Sequence, residues 1–312
     1  LLDSPSNGTQ QTRIAYETQG MTWWADYSVI YDESRGCSMD LSGWVSIINQ
    51  SGASFDNAKL KLIAGDVNRA EPNRERRDVV MKMAMAEDAA APFTEKAFFE
   101  YHLYTLGRPA DLPDNSTKQM QLFPTARGVS CEKELVFAPT MNMAYYGYQQ
   151  LDQEYGRYGQ GEVDVYLRFK NEKSRQLGMP LPAGRIRVMQ QDPADDSLEF
   201  IGEDVIDHTP RNEEVLIEMG NAFDVVGERK QTDFRIDTRT RNLWETFEIR
   251  LRNHKDEAVE VAVLENLYRM ANWKIEGVNH SWDKENSNRI SFDVQVPSEG
   301  EVVLTYTAHY SW

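Results

Sequence analysis

The 312-residue chain is 40% hydrophobic and 11% aromatic, an ordinary globular composition tilted toward the residues that suit a half-buried pleated sheet, so wholesale disorder is excluded. A formal net charge of -16 and a pI near 4.8 repel phosphate backbones and anionic surfaces, which excludes nucleic acid as the expected partner. At roughly 100 to 200 residues per domain the length predicts two domains, and no apolar run approaches the roughly 20 residues that a membrane helix needs.

Leu1-Leu2-Asp3 opens the sequence without an initiator methionine, and the expectation is that a segment upstream was removed or not included. Residues 13–18 read as the first strand. Trp23, Ala25, Tyr27, Val29 and Tyr31 then fall on one face of a run whose other face carries Trp24, Asp26, Ser28 and Asp32, the period-two signature of a strand. A strand over 39–49 ends in Asn49-Gln50-Ser51-Gly52, which is turn chemistry, and another opens at 58–63.

The grammar changes over 66–92. Charged residues 74–78 lead into 79–86, rich in good helix formers and bounded by Pro72 and Pro92, which predicts one short helix inserted near 73–92. Strands are expected again over 98–106, 118–123 and 131–137. The stretch 141–161 is turn-rich and aromatic, with Tyr145, Tyr146, Tyr148, Tyr155 and Tyr158, and the domain boundary is placed there: 1–150 as a β-rich domain with the helical insertion, 151–312 as a second sandwich.

The second half alternates strands and turns, with strands predicted at 163–169, 185–190, 215–218, 229–237, 244–253, 258–264, 290–296 and 302–312. In the last of these Leu304, Tyr306, Ala308, Tyr310 and Trp312 share the core face, while Thr305, Thr307, His309 and Ser311 face the other way. The fold class expected is all-β: two β-sandwich-like domains of mainly antiparallel strands with one short helical insertion.

Several sequence blocks resemble a known family. GMTWWADY at 20–27, DLSGWVSIINQSG at 40–52, AKLKLIAGDVNR at 58–69, FFEYHLYTL at 98–106, LGMPLPAGRIRV at 177–188, FIGEDVIDHTP at 200–210, GNAFDVVGER at 220–229, IRLRNHK at 249–255 and LTYTAHYSW at 304–312 resemble the bacterial domain of unknown function that closes mucoidy-inhibitor-type secreted proteins. The resemblance implies a secretory signal and a further region upstream, and a location outside the cytoplasm, extracellular or periplasmic and outer-envelope. It brings no catalytic residue with it.

Read for chemistry, the chain holds few constellations. Cys37 and Cys131 can be one disulfide or two buried thiols. His102, His208, His254, His280 and His309 are not at metal-ligand spacing. His208 is flanked by carboxylates and can be read as a base, but Thr209-Pro210 favours a polar turn. No Gly-x-Ser-x-Gly, phosphate loop or dinucleotide fingerprint is present. Residues 192–199 offer hard oxygens for calcium without the EF-hand pattern, and a solvated hairpin tip is the plainer reading. Met81, Met83 and Met85 alternate like soft copper ligands or like ordinary packing residues. Asn7, Asn49, Asn115 and Asn279 sit in glycosylation sequons.

The function expected is that of a non-enzymatic secreted or envelope protein that associates with other proteins, its own copies first, into an oligomer, polymer or extracellular filament. A sandwich has open edges, and a head-to-tail strand contact that does not close builds a fibre. Expected contact residues are Leu1, Leu2, Ile14, Tyr16, Tyr145, Tyr146 and Tyr148. The alternative is a secreted carbohydrate-binding or carbohydrate-active protein that stacks sugars on the tyrosines of 145–158. No cofactor is expected apart from the calcium reading.

Overall fold

The computed structural model describes residues 13–33, 36–65, 86–87, 93–139, 150–159 and 161–312. The first strands are β1 (Met21–Asp32), β2 (Ser38–Asn49), β3 (Phe55–Ala58), β4 (Lys61–Ala64), β5 (Ala86–Glu87), β6 (Phe93–Phe98), β7 (Tyr101–Leu106), β8 (Ala110–Leu112), β9 (Ser116–Phe137), β10 (Tyr158–Gly159) and β11 (Val163–Lys170). There follow β12 (Gly184–Gln191), β13 (Leu198–Ile206), β14 (Glu214–Asn221), β15 (Val225–Asp237), β16 (Asn242–Asn253), β17 (Val259–Asn266), β18 (Trp273–Glu276), β19 (Asp283–Lys284), β20 (Arg289–Val296) and β21 (Gly300–Ser311). Among the described residues there is no α-helix, only the 3-10 turn Lys173–Arg175. The chain is therefore nearly all β, in several mostly antiparallel sheets.

Two compact units emerge: Leu1–Asp26 with Gly43–Pro124, and Tyr27–Ser42 with Thr125–Trp312. The single boundary expected between residues 150 and 151 lies inside the second unit. The division is discontinuous because β1, β2 and β9 each supply residues to both units.

In the first unit, β4, β7 and β6 form one small sheet and β3 pairs with β8 in another. Leu62, Phe93, Leu103, Tyr104, Leu112, Met120 and Leu122 are buried there. In the second unit, the sheet path through β13, β12, β1, β2 and β9 continues to β11 and β14. Its ends come side by side, since the Glu218 N–H on β14 donates to Asp204 Oδ2 on β13 at 2.9 Å. Beyond it, the sheet β10-β15-β16-β21-β18 faces β17 and β20 across a shared core. That core includes Phe137, Phe247, Phe292, Tyr306 and Tyr310, and it is sandwich-like.

The alternation read from sequence holds where strands are long. Ala25, Tyr27, Val29 and Tyr31 are buried along β1, and Leu304, Tyr306, Ala308 and Tyr310 along β21. β21 lies between β16 and β18. Past the end of β18 its edge is taken by Asn279, which donates from Nδ2 to the Val303 carbonyl at 2.9 Å and accepts the Thr305 N–H at 2.8 Å. The final strand thus belongs to its own sheet.

Other expectations are corrected. Residues 13–18 form no strand and are exposed, because no neighbouring strand pairs with them. The strand read at 58–63 is divided, with β3 ending at Ala58 and β4 beginning at Lys61. Residues 98–106 are not one strand: Phe99, at φ 59, reverses the chain between β6 and β7. Residues 118–123 and 131–137, expected as separate strands, are parts of the continuous β9. Gly128 takes φ 63 there and its N–H is bound by Asp40 Oδ1 at 2.9 Å, so the strand bends at a position open to glycine without ending. The helix expected at 79–86 lies outside the described residues except Ala86, which sits in the short parallel strand β5 against β9. Met81, Met83 and Met85 also lie outside them.

One device recurs at strand ends. Asn49, Asn171 and Asn253 are buried, and each reaches the carbonyl of a distant proline. Asn49 Nδ2 donates to Leu112 at 2.9 Å and Pro113 at 3.1 Å, Asn171 Nδ2 to Met179 at 2.9 Å and Pro210 at 3.0 Å, and Asn253 Nδ2 to Glu257 at 2.7 Å and Pro297 at 3.0 Å. A buried amide satisfies carbonyls that the strand ladder leaves over. It also accounts for the Asn49 sequon, whose amide nitrogen is fully engaged within its own fold.

Candidate functional site

The densest polar chemistry in the described chain is buried inside the C-terminal core. β15 brings Arg229 inward, β16 brings Glu245 and β17 brings Glu265, while Arg269 follows β17. The two glutamates occupy phases of their strands that otherwise carry apolar residues: Glu245 lies between the buried Leu243 and Phe247, and Glu265 follows Val261 and Val263. The Arg229 Nε–H donates to both Glu265 oxygens at 3.0 and 2.9 Å, and its guanidinium lies 3.8 Å from the centre of the Phe247 ring. Tyr306 donates its hydroxyl to Glu265. Glu245 Oε1 accepts from Arg269 Nη2 at 2.7 Å, Tyr268 OH at 2.8 Å and Gln231 Nε2 at 2.8 Å. The side chains of both ion pairs are fully inaccessible.

Arg229 and Arg269 also hold a segment of backbone. Arg269 donates to the carbonyls of Gln150 at 2.7 Å, Asp152 at 2.8 Å and Tyr155 at 2.7 Å, and Arg229 Nη1 donates to that of Gly156 at 3.0 Å. Gly156, at φ 73, lies against the Tyr268 ring, where a Cβ would collide. Burial disfavours the Arg229 charge, but Glu265 beside it more than offsets this and the guanidinium is held protonated above its usual range. With charges paired and no surface reached, the cluster fastens residues 150–156 to the core and offers a substrate nothing to touch.

Its tyrosines give the chain an alkaline limit. Burial, reinforced by Glu265 for Tyr306 and by Glu245 for Tyr268 and Tyr310, pushes the three phenols well above the ordinary value of 10.0. A phenol whose folded pKa is raised holds its proton more tightly in the folded chain. Its contribution is therefore whole below pH 10 and is lost as pH rises toward the folded value. Urea melts across an alkaline series should show flat stability to about pH 9, then a decline steepened by about 1.4 kcal/mol per pH unit for each of the three. A flat profile through pH 11 would contradict their burial.

A second feature is at the surface. β13 ends the sheet path with β12 as its only ladder partner among the described residues. Leu198, Phe200 and Val205 on it are 48%, 60% and 68% exposed. Val205 is opposite Arg185, Phe200 opposite Met189 and Leu198 opposite Gln191, and the register shifts between Val188 and Met189. That bulge matters, because strict alternation would send Phe200 and Val205 to opposite faces. It collects them into one outward stripe beside Arg187 and Glu203, which pair at 3.2 Å.

Of the contact residues expected from sequence, Leu1, Leu2, Tyr145, Tyr146 and Tyr148 lie outside the described residues. Ile14 and Tyr16 are 77% and 72% exposed in the irregular segment before β1. Cys37 and Cys131 are joined by a disulfide. His208 Nδ1 accepts the Ala183 N–H at 3.0 Å, and the bridge between Leu181 and Thr209 closes that turn. Of residues 192–199, 192–197 form the tip between β12 and β13 and the last two open β13, with Asp192 and Asp195 accepting backbone N–H groups of their own turn. Among the described residues no group of three or more His, Cys, Asp or Glu side chains converges as a metal would require, and no helix is long and apolar enough to cross a membrane. Comparison of the chain with protein-family models and with curated proteins found no match, so the family resemblance rests on the sequence blocks alone.

Proposed function

We propose that this chain is a non-enzymatic, secreted or cell-envelope protein that works by protein association, pairing with further copies of itself and, if the contact does not close, extending into a filament. The observation that carries this reading is the apolar stripe of Leu198, Phe200 and Val205 on the outward face of β13. Apolar groups gathered into one exposed patch are what soluble surfaces avoid unless a partner covers them. The disulfide supports the extracytoplasmic location, since such bonds persist in oxidising compartments. Ile14 and Tyr16, exposed on an unpaired leading segment, supply a second apolar element of the kind a strand exchange uses.

Light scattering after size exclusion, with negative-stain microscopy, tests it. The wild-type chain is expected as dimers or larger species that dissociate on dilution, and Phe200→Glu with Val205→Lys is expected to leave a folded monomer. A chain that stays monomeric at the highest attainable concentration overturns the proposal.

A further inference from the structure

A groove of about 490 Å³ opens beside the disulfide, between the facing ends of β1 and β2 and the tip of the β12–β13 hairpin. Its size falls in the range of small-ligand sites, about 300 to 1,000 Å³. Four carboxylates line it, those of Asp32, Glu33, Asp40 and Asp196, and no lysine or arginine lines it among the described residues. Glu33 is paired with Lys133. Asp40 and Asp196 are each fixed through one oxygen: Asp40 Oδ1 accepts the Gly128 N–H at 2.9 Å, and Asp196 Oδ1 accepts from Gln191 Nε2 at 3.1 Å. Each can present Oδ2 to a ligand.

A second observation is independent of the charges. Tyr31, on the groove wall, is 5% exposed, and its hydroxyl has no hydrogen-bond partner among the described residues. The hydroxyl itself keeps contact with solvent, so it is open to a donor that enters the groove. Ile30, Met39 and Pro193 add an apolar lining, the surface against which the methylene stem of a charged chain packs.

We infer that this groove binds an alkylammonium ligand, the ammonium group lying among Asp40, Asp196 and the Tyr31 hydroxyl and its methylene chain along Ile30, Met39 and Pro193. The lining separates a long organic cation from a metal ion. Calcium needs six to eight oxygens at about 2.3 to 2.6 Å from one point, and the described carboxylates do not converge. An ammonium has three donors and takes spaced acceptors. The disulfide beside Ser38 and the turn bonds of residues 192–197 hold the walls in place before the ligand arrives, which limits the ordering cost of binding. The same chemistry is carried by a free polyamine and by lysine side chains of a peptide. This inference is independent of the association reading and needs only the folded chain.

Calorimetric titration of the whole chain with spermidine, and separately with a short acetylated peptide carrying two lysines, tests it. One saturable site is expected for at least one probe, and the tighter of the two identifies the source. Asp196→Asn suits the left-handed backbone at φ 61 and should weaken binding about tenfold, while Tyr31→Phe should weaken it about threefold to tenfold. Glu260→Gln, a carboxylate outside the groove, should leave it unchanged. Amide shifts of Gln190 and Gln191 on titration of the wild-type chain give a readout that does not depend on any variant folding. No saturable binding of either probe overturns the inference. So does equal weakening by all three variants, which is diffuse attraction to a chain of net charge -16, and so does saturable calcium binding that spermidine fails to displace.

Discussion

Replacing Glu265 with leucine is expected to lower the unfolding free energy by about 3 to 5 kcal/mol. The carboxylate accepts both bonds of the Arg229 Nε–H and the hydroxyl of Tyr306, with the pair fully inaccessible. Leucine fills a similar volume but leaves a guanidinium charged among apolar neighbours and a phenol without its acceptor. Denaturant melts of the single variant measure the effect. The double replacement Arg229→Met with Glu265→Leu separates pairing from packing, because exchanging a whole buried pair for apolar residues is often neutral. It should recover most of the loss. The remainder reports the Gly156 carbonyl that Arg229 also binds. A single variant as stable as the wild type would show that this ion pair is not buried in solution.

That cluster also shows what can be read in a sequence and what cannot. The alternation of Leu243, Phe247, Ile249 and Leu251 along β16 is visible at once, and the structure buries those residues. The same alternation holds a sharper signal: Glu245 occupies an inward phase, and Glu265 does so on β17. A charge in the core phase of a strand implies a buried partner. Naming the partner is another matter. Arg269 binds carbonyls of Gln150 and Asp152, more than a hundred positions away, and backbone acceptors leave no mark in side-chain pattern.

Turn chemistry misled in both directions. The Pro-containing turn expected after residue 123 falls where β9 continues, since the bend uses the freedom of Gly128 and Asp40 takes up its N–H. Phe99 carried no turn signature where the chain reverses between β6 and β7. The β13 stripe was hidden for a related reason. It depends on a bulge that changes the phase between Val205 and Phe200, and a bulge is set by pairing with β12, not by β13 alone. The groove is assembled from three separated stretches of chain, so of its acidic residues only Asp196, within 192–199, stands out in the sequence.

Removing the disulfide is the other large effect expected. Cys37 and Cys131 are 94 positions apart, and closing a loop of that length restricts the unfolded chain by about 4 to 5 kcal/mol in the loop-entropy account. The folded state asks little in return, since the two residues already neighbour each other where β2 meets β9, with the Cys131 N–H donating to the Cys37 carbonyl at 3.0 Å. Cys37→Ser with Cys131→Ser, or reduction of the wild type, should therefore lower the urea midpoint by an amount corresponding to about 3 to 5 kcal/mol while leaving the native sheet intact. The comparison also bears on where the protein works. A chain that loses this much stability on reduction is suited to an oxidising compartment, as proposed for the association reading. Coincident melts for the oxidised and reduced chain would show that the bond constrains nothing, and the extracytoplasmic assignment would lose its structural support.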